Sequence, residues 1–166
     1  MKSSQLQSQL FIYILAMVLV SFILIFGYNS VQNFRDRAEK VSCLKFENEL
    51  KSAIESISGD FGSVKRKDFQ LCKSFQQVCF VDDNIIDRAS PNAIDQENTP
   101  ISVDPIIKDS IISETPGNVF LVSGVAKDSF YAGKISVQGD VLCIKTLNNK
   151  IVLRFEGEGN KALIGP

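Results

Sequence analysis

A run of apolar residues near the start of the chain dominates its hydrophobic pattern. From Leu10 to Tyr28 the chain has 19 consecutive uncharged residues, and the nearest charged residues are Lys2 and Arg35. Because an α-helix rises about 1.5 Å per residue, the run spans roughly 28 Å, close to the hydrocarbon thickness of a bilayer. Backbone polar groups in lipid must be paired within the segment, so a lone span is helical. We therefore predict a transmembrane helix over residues 10–28.

A cleaved secretory signal and a buried core helix are the alternatives for this run. The apolar region of a signal peptide has about 7–15 residues and ends in small residues of the Ala-x-Ala type. The run here is longer, and Phe-Gly-Tyr-Asn-Ser over residues 26–30 does not fit such a cleavage site. A core helix rarely lacks polar positions over five turns. Both comparisons favour a retained membrane anchor.

After the anchor the pattern changes to apolar residues at helical spacing. Charged residues between them form an opposite polar face, where Glu47 and Lys51 stand at i,i+4 in the favourable order for an ion pair. No proline or glycine interrupts residues 28–58. We predict a short leader over residues 1–9, the transmembrane helix, and then an amphipathic helix over residues 29–58 that continues it. The apolar positions of this last part are Ala38, Val41, Leu44, Phe46, Leu50, Ala53, Ile54 and Ile57.

The remaining residues, 59–166, carry β-type patterns and predict a separate head. Strands are predicted over residues 64–71, 77–81, 118–123, 129–138, 140–146 and 150–157. Asn148-Asn149 favours a hairpin turn because asparagine tolerates positive φ. In the last strand Ile151, Leu153 and Phe155 fall on one face.

Residues 83–117 hold four of the five prolines and predict a long surface loop. Within it, Asp104-Pro105 favours the start of a short helix, because aspartate caps a helix and proline suits its first turn. The predicted fold class is α+β, a long N-terminal helix with a small antiparallel β-sheet as its head.

Composition excludes several classes of function. With 18 basic and 19 acidic residues, no positive excess is available to attract nucleic acid. Histidine is absent, which excludes Ser-His-Asp and Cys-His catalysis and any histidine-ligated metal site. We predict a protein that is not an enzyme, with no cofactor, no metal and no evident small-molecule substrate.

Four cysteines are present, Cys43, Cys72, Cys79 and Cys143, and no CxxC motif occurs. Four thiols in a small exported domain favour disulfides. Cys72 and Cys79 flank the turn between the first two predicted strands, and opposite hairpin positions come close enough to bond. This favours Cys72–Cys79 and leaves Cys43–Cys143, although four cysteines allow three pairings.

Three charged clusters carry candidate chemistry. Asp82-Asp83-Asn84 with Asp87 presents oxygens suited to calcium, but a solvated loop is the favoured interpretation because the spacing is not that of an EF-hand. Glu156 and Glu158 suggest an acid/base pair, but they lie among glycines at a strand end, where charges are usually exposed. Lys65–Lys67 suits lipid headgroups or an acidic partner, although lysines also block edge strands from pairing.

The N-terminal ten residues read Met-Lys-Ser-Ser-Gln-Leu-Gln-Ser-Gln-Leu, directly before the apolar run. This arrangement resembles the class III signal of archaeal type IV pilin-like proteins, in which a short basic leader is cut before a glutamine-rich stretch. The resemblance implies processing between Ser4 and Gln5. Gln9 stands where that family often has an acidic residue. Residues 78–82, Val-Cys-Phe-Val-Asp, are also similar to a stretch of uncharacterised small archaeal membrane proteins.

Two signals for the orientation in the membrane conflict. Arg35, Arg37 and Lys40 outnumber Lys2, which favours a cytoplasmic C-terminal domain. The even number of cysteines and the pilin resemblance both imply a domain outside the cell. We expect a single-pass protein of the cell membrane with a cytoplasmic N-terminus and the C-terminal domain outside.

The resemblance implies a pilin-like structural or interaction subunit that assembles through its N-terminal helix. Its partners would then be the lipid bilayer, further copies of itself or other pilin-like subunits. The alternative is an anchored binding or sensor domain that works without filament assembly and uses residues 83–117 as its contact surface.

Overall fold

The computed structural model describes residues 3–72, 75–85 and 88–166, with the backbone alone for residues 3–10 and 36. Two compact units are present, Met1–Lys40 and Val41–Pro166. Helix α1 (Ser3–Ser58) provides the first unit, and its last turns belong to the second. Together with the β-strands of the second unit this confirms the α+β fold class.

The first unit presents an apolar helical surface. Every described side chain between Phe11 and Arg35 is exposed, and the helix is long and apolar enough to cross a membrane by length and composition. The Ser21 hydroxyl donates to the Met17 carbonyl at 2.8 Å, so this polar group is paired within the helix. Such pairing is what a helix in lipid requires.

The second unit contains two mixed β-sheets. The four-stranded sheet has the order β1-β9-β10-β7, and the six-stranded sheet has the order β4-β3-β8-β2-β5-β6. Most pairs are antiparallel, as predicted, but β10–β7 and β3–β8 are parallel. The elements are β1 (Val64–Gln70), β2 (Gln77–Val81), β3 (Ala93–Asp95), β4 (Pro100–Ile101), α2 (Pro105–Ile112), β5 (Val119–Ser123), β6 (Val125–Phe130), β7 (Ile135–Val137), β8 (Val141–Lys145), β9 (Lys150–Gly157) and β10 (Ala162–Gly165).

The main core lies where one face of α1 meets both sheets. Phe46, Leu50, Ala53, Ile54 and Ile57 are buried, which confirms the second half of the predicted apolar face. The prediction is wrong for its first half, because Ala38, Val41 and Leu44 are exposed. The Phe46 ring packs edge-on against Phe69 of β1 and Phe130 of β6, with ring centroids 6.1 and 6.0 Å apart. Because β1 and β6 belong to different sheets, this helix residue contacts both of them.

A second core covers the opposite face of the six-stranded sheet. Ile107 and Ile111 of α2 pack there with residues such as Phe120 and Val141. Alternate residues of a strand point to opposite faces. Val78 of β2 therefore joins the main core, whereas its neighbour Cys79 joins the second.

The predicted hairpin of β1 and β2 is wrong. β1 pairs with β9 in the four-stranded sheet, and β2 pairs with β5 and β8 in the six-stranded sheet. The favoured pairing of cysteines is wrong for the same reason. Cys72 follows β1 and bonds to Cys43 of α1, whereas Cys79 lies opposite Cys143 in the β2–β8 ladder and bonds to it.

The segment 83–117 was expected to be one long loop with a short helix, and it contains more regular structure than that. β3 and β4 pair within it, and α2 begins after Asp104 as predicted. The strand predicted over residues 129–138 is also wrong, because Gly133 with φ of 110° separates β6 from β7. β10 was not predicted at all.

Three predictions from local sequence signals are confirmed. Asn148 and Asn149 both adopt positive φ, 52° and 58°, in the turn that precedes β9. The Asp104 carboxylate accepts a hydrogen bond from the Ile106 amide at 2.9 Å and so caps α2. In β9 the residues Ile151, Leu153 and Phe155 are buried and alternate with exposed or half-buried neighbours.

Replacing Leu50 with alanine should destabilise the second unit. This side chain is fully buried in the main core, and Leu→Ala changes at such positions cost about 2–5 kcal/mol. The matched control is Leu44→Ala on the same helix, because Leu44 is 57% exposed and its loss should change stability by no more than about 0.5 kcal/mol. Urea unfolding of the full chain in detergent micelles measures both. Equal effects would contradict the assigned buried face.

Candidate functional site

Two aspartates that follow β2 bind the backbone of β7. The Asp82 carboxylate accepts from the Val137 amide at 3.0 Å, and the Asp83 carboxylate accepts from the Ile135 amide at 3.2 Å. The Asp83 amide also donates to the Ile135 carbonyl at 3.3 Å. Side chains therefore take the place of a neighbouring strand along this edge of the four-stranded sheet.

Asn118 joins this cluster to the loop between β6 and β7. Its side-chain amide donates to the Asp83 carboxylate at 3.1 Å and to the Gly133 carbonyl at 2.7 Å, while its side-chain oxygen accepts from the Ala132 amide at 2.9 Å. The residue is only 4% exposed. Buried polar groups need such partners, so Asn118 fixes the path of this loop.

A cleft of about 320 Å³ lies beside the cluster, and Asp82 and Asp83 are among its lining residues. Arg88 and Glu114 also line it and form an ion pair at 2.9 Å, and Tyr131 contributes to the wall. Burial, followed by the nearby Asp83 charge, raises the pKa of the Tyr131 phenol above its ordinary value.

The aspartates have structural partners, which favours the interpretation as a loop over the calcium hypothesis. Asp82 also accepts from the Asn84 amide at 2.7 Å, closing a local turn. Asp87, the fourth residue of that hypothesis, lies outside the described residues. Within the described ranges, no group of three or more histidine, cysteine, aspartate or glutamate residues could hold a metal ion.

Glu156 and Glu158 each have a partner of their own. Glu156 accepts from Arg154 at 2.8 Å. Glu158 accepts from the Ser136 hydroxyl at 2.8 Å and lies 3.4 Å from the Lys161 ammonium. These contacts lie at the end of β9 and in the turn that leads to β10.

The basic run Lys65–Lys67 lies on β1, at an edge of the four-stranded sheet, as the edge-strand interpretation predicted. The Lys67 ammonium lies 5.1 Å from the centroid of the Phe69 ring, close enough for a cation–π contact. Lys65 and Arg66 are exposed.

The apolar segment of α1 is a second candidate functional surface. The large side chains from Phe11 to Tyr28 are each 46% to 74% exposed. Apolar surface on this scale marks contact with a membrane or with another protein. The candidate processing residues Ser4 and Gln5 lie in the first turns of the same helix.

All four cysteines are paired, in the bonds Cys43–Cys72 and Cys79–Cys143. Disulfides persist in oxidising compartments and are rare in the cytosol. The pairing therefore agrees with a second unit that lies in an oxidising environment.

Sequence reasoning missed Asn118. An asparagine after Gly117 and before a buried strand has the composition of an ordinary turn. Two of its three partners lie at residues 132 and 133, more than ten positions further along the chain. No local sequence pattern predicts that contact.

Comparison of the chain with protein-family models, with curated proteins and with solved structures gave no match.

The change Asn118→Ala should lower stability by about 2–3 kcal/mol, because it leaves the buried Ala132 amide unpaired and removes a hydrogen bond to a charged group. Asn160→Ala is the matched control, since Asn160 is exposed. Urea unfolding of the full chain in micelles, with the disulfides intact, measures both changes. A loss no larger than that of the control would show that Asn118 does not hold this loop.

Proposed function

We propose that this chain is a membrane-anchored structural or interaction subunit, similar to the pilins, that assembles through its N-terminal helix. Its head lies outside the cytoplasm and presents surfaces to partners. In this proposal the chain has no catalytic role.

The observation that carries the proposal is that α1 serves both units. Its apolar segment from Phe11 to Tyr28 exposes every side chain, whereas Phe46 and Leu50 of the same helix lie in the main core of the head. Residues 28–58 contain no glycine or proline. A helix that carries both an apolar segment and core residues of the head suits an anchored subunit that assembles through this segment.

Sidedness rests on the cysteines. Two disulfides in a head of this size support an extracytoplasmic location. The basic residues Arg35, Arg37 and Lys40 oppose it, because such residues are usually retained in the cytoplasm. We give the disulfides more weight, since reduction of a cytosolic domain would remove both covalent links.

A second candidate function is an anchored binding domain that acts without assembly. The cleft at Arg88, Glu114 and Tyr131 favours it, because these residues bring a cation, an anion and a neutral phenol to one concave surface. Most residues that line the cleft belong to the segment 83–117, which the sequence predicts as a contact surface.

Sidedness can be tested with one introduced thiol. Because all native cysteines are paired, Phe61→Cys adds the only free thiol of the chain at a position that is 85% exposed in the wild-type head. We expect a membrane-impermeant maleimide to label it in intact cells. The matched control is Ser8→Cys, on the N-terminal side of the apolar segment, which should be labelled only after lysis. The reverse pattern would place the head in the cytoplasm.

Assembly can be tested by cysteine scanning of residues 13–24 in native membranes. If the helix packs against a second copy, the cross-linking yield under mild oxidation should rise and fall with a period of about 3.6 residues, because one face is in contact. A uniformly low yield would exclude assembly through the helix and favour the anchored binding domain. The same scan at strongly reduced expression controls for random collision.

A further inference from the structure

Among the residues that the structure describes, three of the four sheet edges in the second unit are protected by features of the fold. The edge of β7 is covered by the carboxylates of Asp82 and Asp83. At the edge of β6, the Ala126 amide donates to Asp104 at 3.2 Å. β4 has only two residues and begins with Pro100, which has no amide hydrogen to donate.

The fourth edge, on β1, is open. The Leu71 amide donates to the Asn149 carbonyl, and Ser63 accepts from the Gly157 amide, so odd-numbered residues exchange hydrogen bonds with the β9 side. In an antiparallel ladder the alternate residues turn their amides and carbonyls away from the partner strand. Along the described ranges of the chain no strand other than β9 pairs with β1. The residues whose backbone amides and carbonyls face away from β9 are Val64, Arg66, Asp68 and Gln70.

A groove with both apolar and polar side chains lies beside β1. It has a volume of about 570 Å³ and is lined by residues of α1 together with Lys67 of β1. Val41 and Leu44 in its wall are 64% and 57% exposed, although the opposite face of the same helix is buried. An added strand would therefore meet both open hydrogen-bonding groups and apolar side chains.

The charge at this edge is positive and incompletely balanced. Lys65, Arg66 and Lys67 are followed by a single acidic residue, Asp68. In the ladder Arg66 lies opposite Arg154, which pairs with Glu156 at 2.8 Å, so that carboxylate is already engaged by another cation. Nearby cations on α1 differ, because Lys45 and Lys51 each pair with a glutamate of their own helix.

We propose that the open edge of β1 is a strand-addition site that binds an extended, acidic segment of another protein. Backbone hydrogen bonds to the outward-facing residues would provide affinity, and alternate side chains would provide specificity. The lysines deter apolar or basic strands and attract acidic ones. A second copy of β1 is a poor occupant, because its own Lys65–Lys67 run would face an identical run.

The test uses the full chain in nonionic detergent micelles and a labelled peptide that alternates valine and glutamate over about eight residues. We expect binding that weakens as salt is added, and slower hydrogen exchange at the amides of Arg66, Asp68 and Gln70. A peptide that alternates valine and lysine is the matched control. It should not bind, and it should not slow exchange at these amides. Binding without protection of these amides would mean charge attraction alone and would overturn the proposal.

Two variants at one position separate backbone pairing from charge. Asp68→Pro removes an outward amide that makes no bond to β9, and it should weaken peptide binding about tenfold or more. Asp68→Ala keeps that amide and removes a repelling carboxylate, so binding should be unchanged or tighter. Circular dichroism and intact disulfides establish that both variants are folded.

Equal binding by the two variants would contradict strand addition. Self-association of the peptide-free chain that Asp68→Pro abolishes would identify a second copy as the occupant and would also overturn the proposal. Lys65→Glu combined with Lys67→Glu should reverse the preference toward the valine–lysine peptide. None of these readouts depends on assembly of the N-terminal helix, so the two proposals can fail separately.

Discussion

Burial of one face of α1 in the main core is the interaction on which the second unit depends. Phe46 contacts aromatic rings of both sheets, and Leu50 and Ile54 are almost fully enclosed. Each such side chain contributes about 1.5–3 kcal/mol through removal of apolar surface from water. The end of the helix is fixed as closely, because any side chain at Gly157 of β9 would collide with the carbonyls of Ile57 and Asp60. A glycine at this position thus allows the sheet to approach the helix end.

The sequence predicts contacts between residues that are close in the chain, but it does not predict contacts between distant segments. The cap at Asp104, the Asn148-Asn149 turn and the alternation in β9 depend on neighbours in the chain, and they were predicted correctly. The partners of β1 and β2 are strands about 40 or more residues away, such as Val119 opposite Phe80 and Ile144 opposite Val78. Two strands adjacent in sequence were therefore assigned to one hairpin, although they lie in different sheets. The predicted Cys72–Cys79 bond is wrong because it depended on that hairpin.

The acidic clusters show the same limit at the candidate site. A run of aspartates after a strand has the composition of a cation site, but its role here comes from the position of β7, more than 50 residues further on. These carboxylates close a sheet edge that would otherwise be open to pairing. The surfaces left for partners are the apolar helix, the cleft at Tyr131 and the edge of β1.

The two disulfides limit how far the head can be stretched. Cys43–Cys72 closes a loop with a sequence separation of 29, and Cys79–Cys143 closes one with a separation of 64. An extended chain gains at most about 3.6 Å per residue, and residues inside a closed loop contribute nothing to that gain. Tension between the ends of the head can therefore lengthen only the short connection between the loops and the residues after Cys143. Under tension β9 and β10 would detach first, and the disulfides would then limit any further extension of the unit.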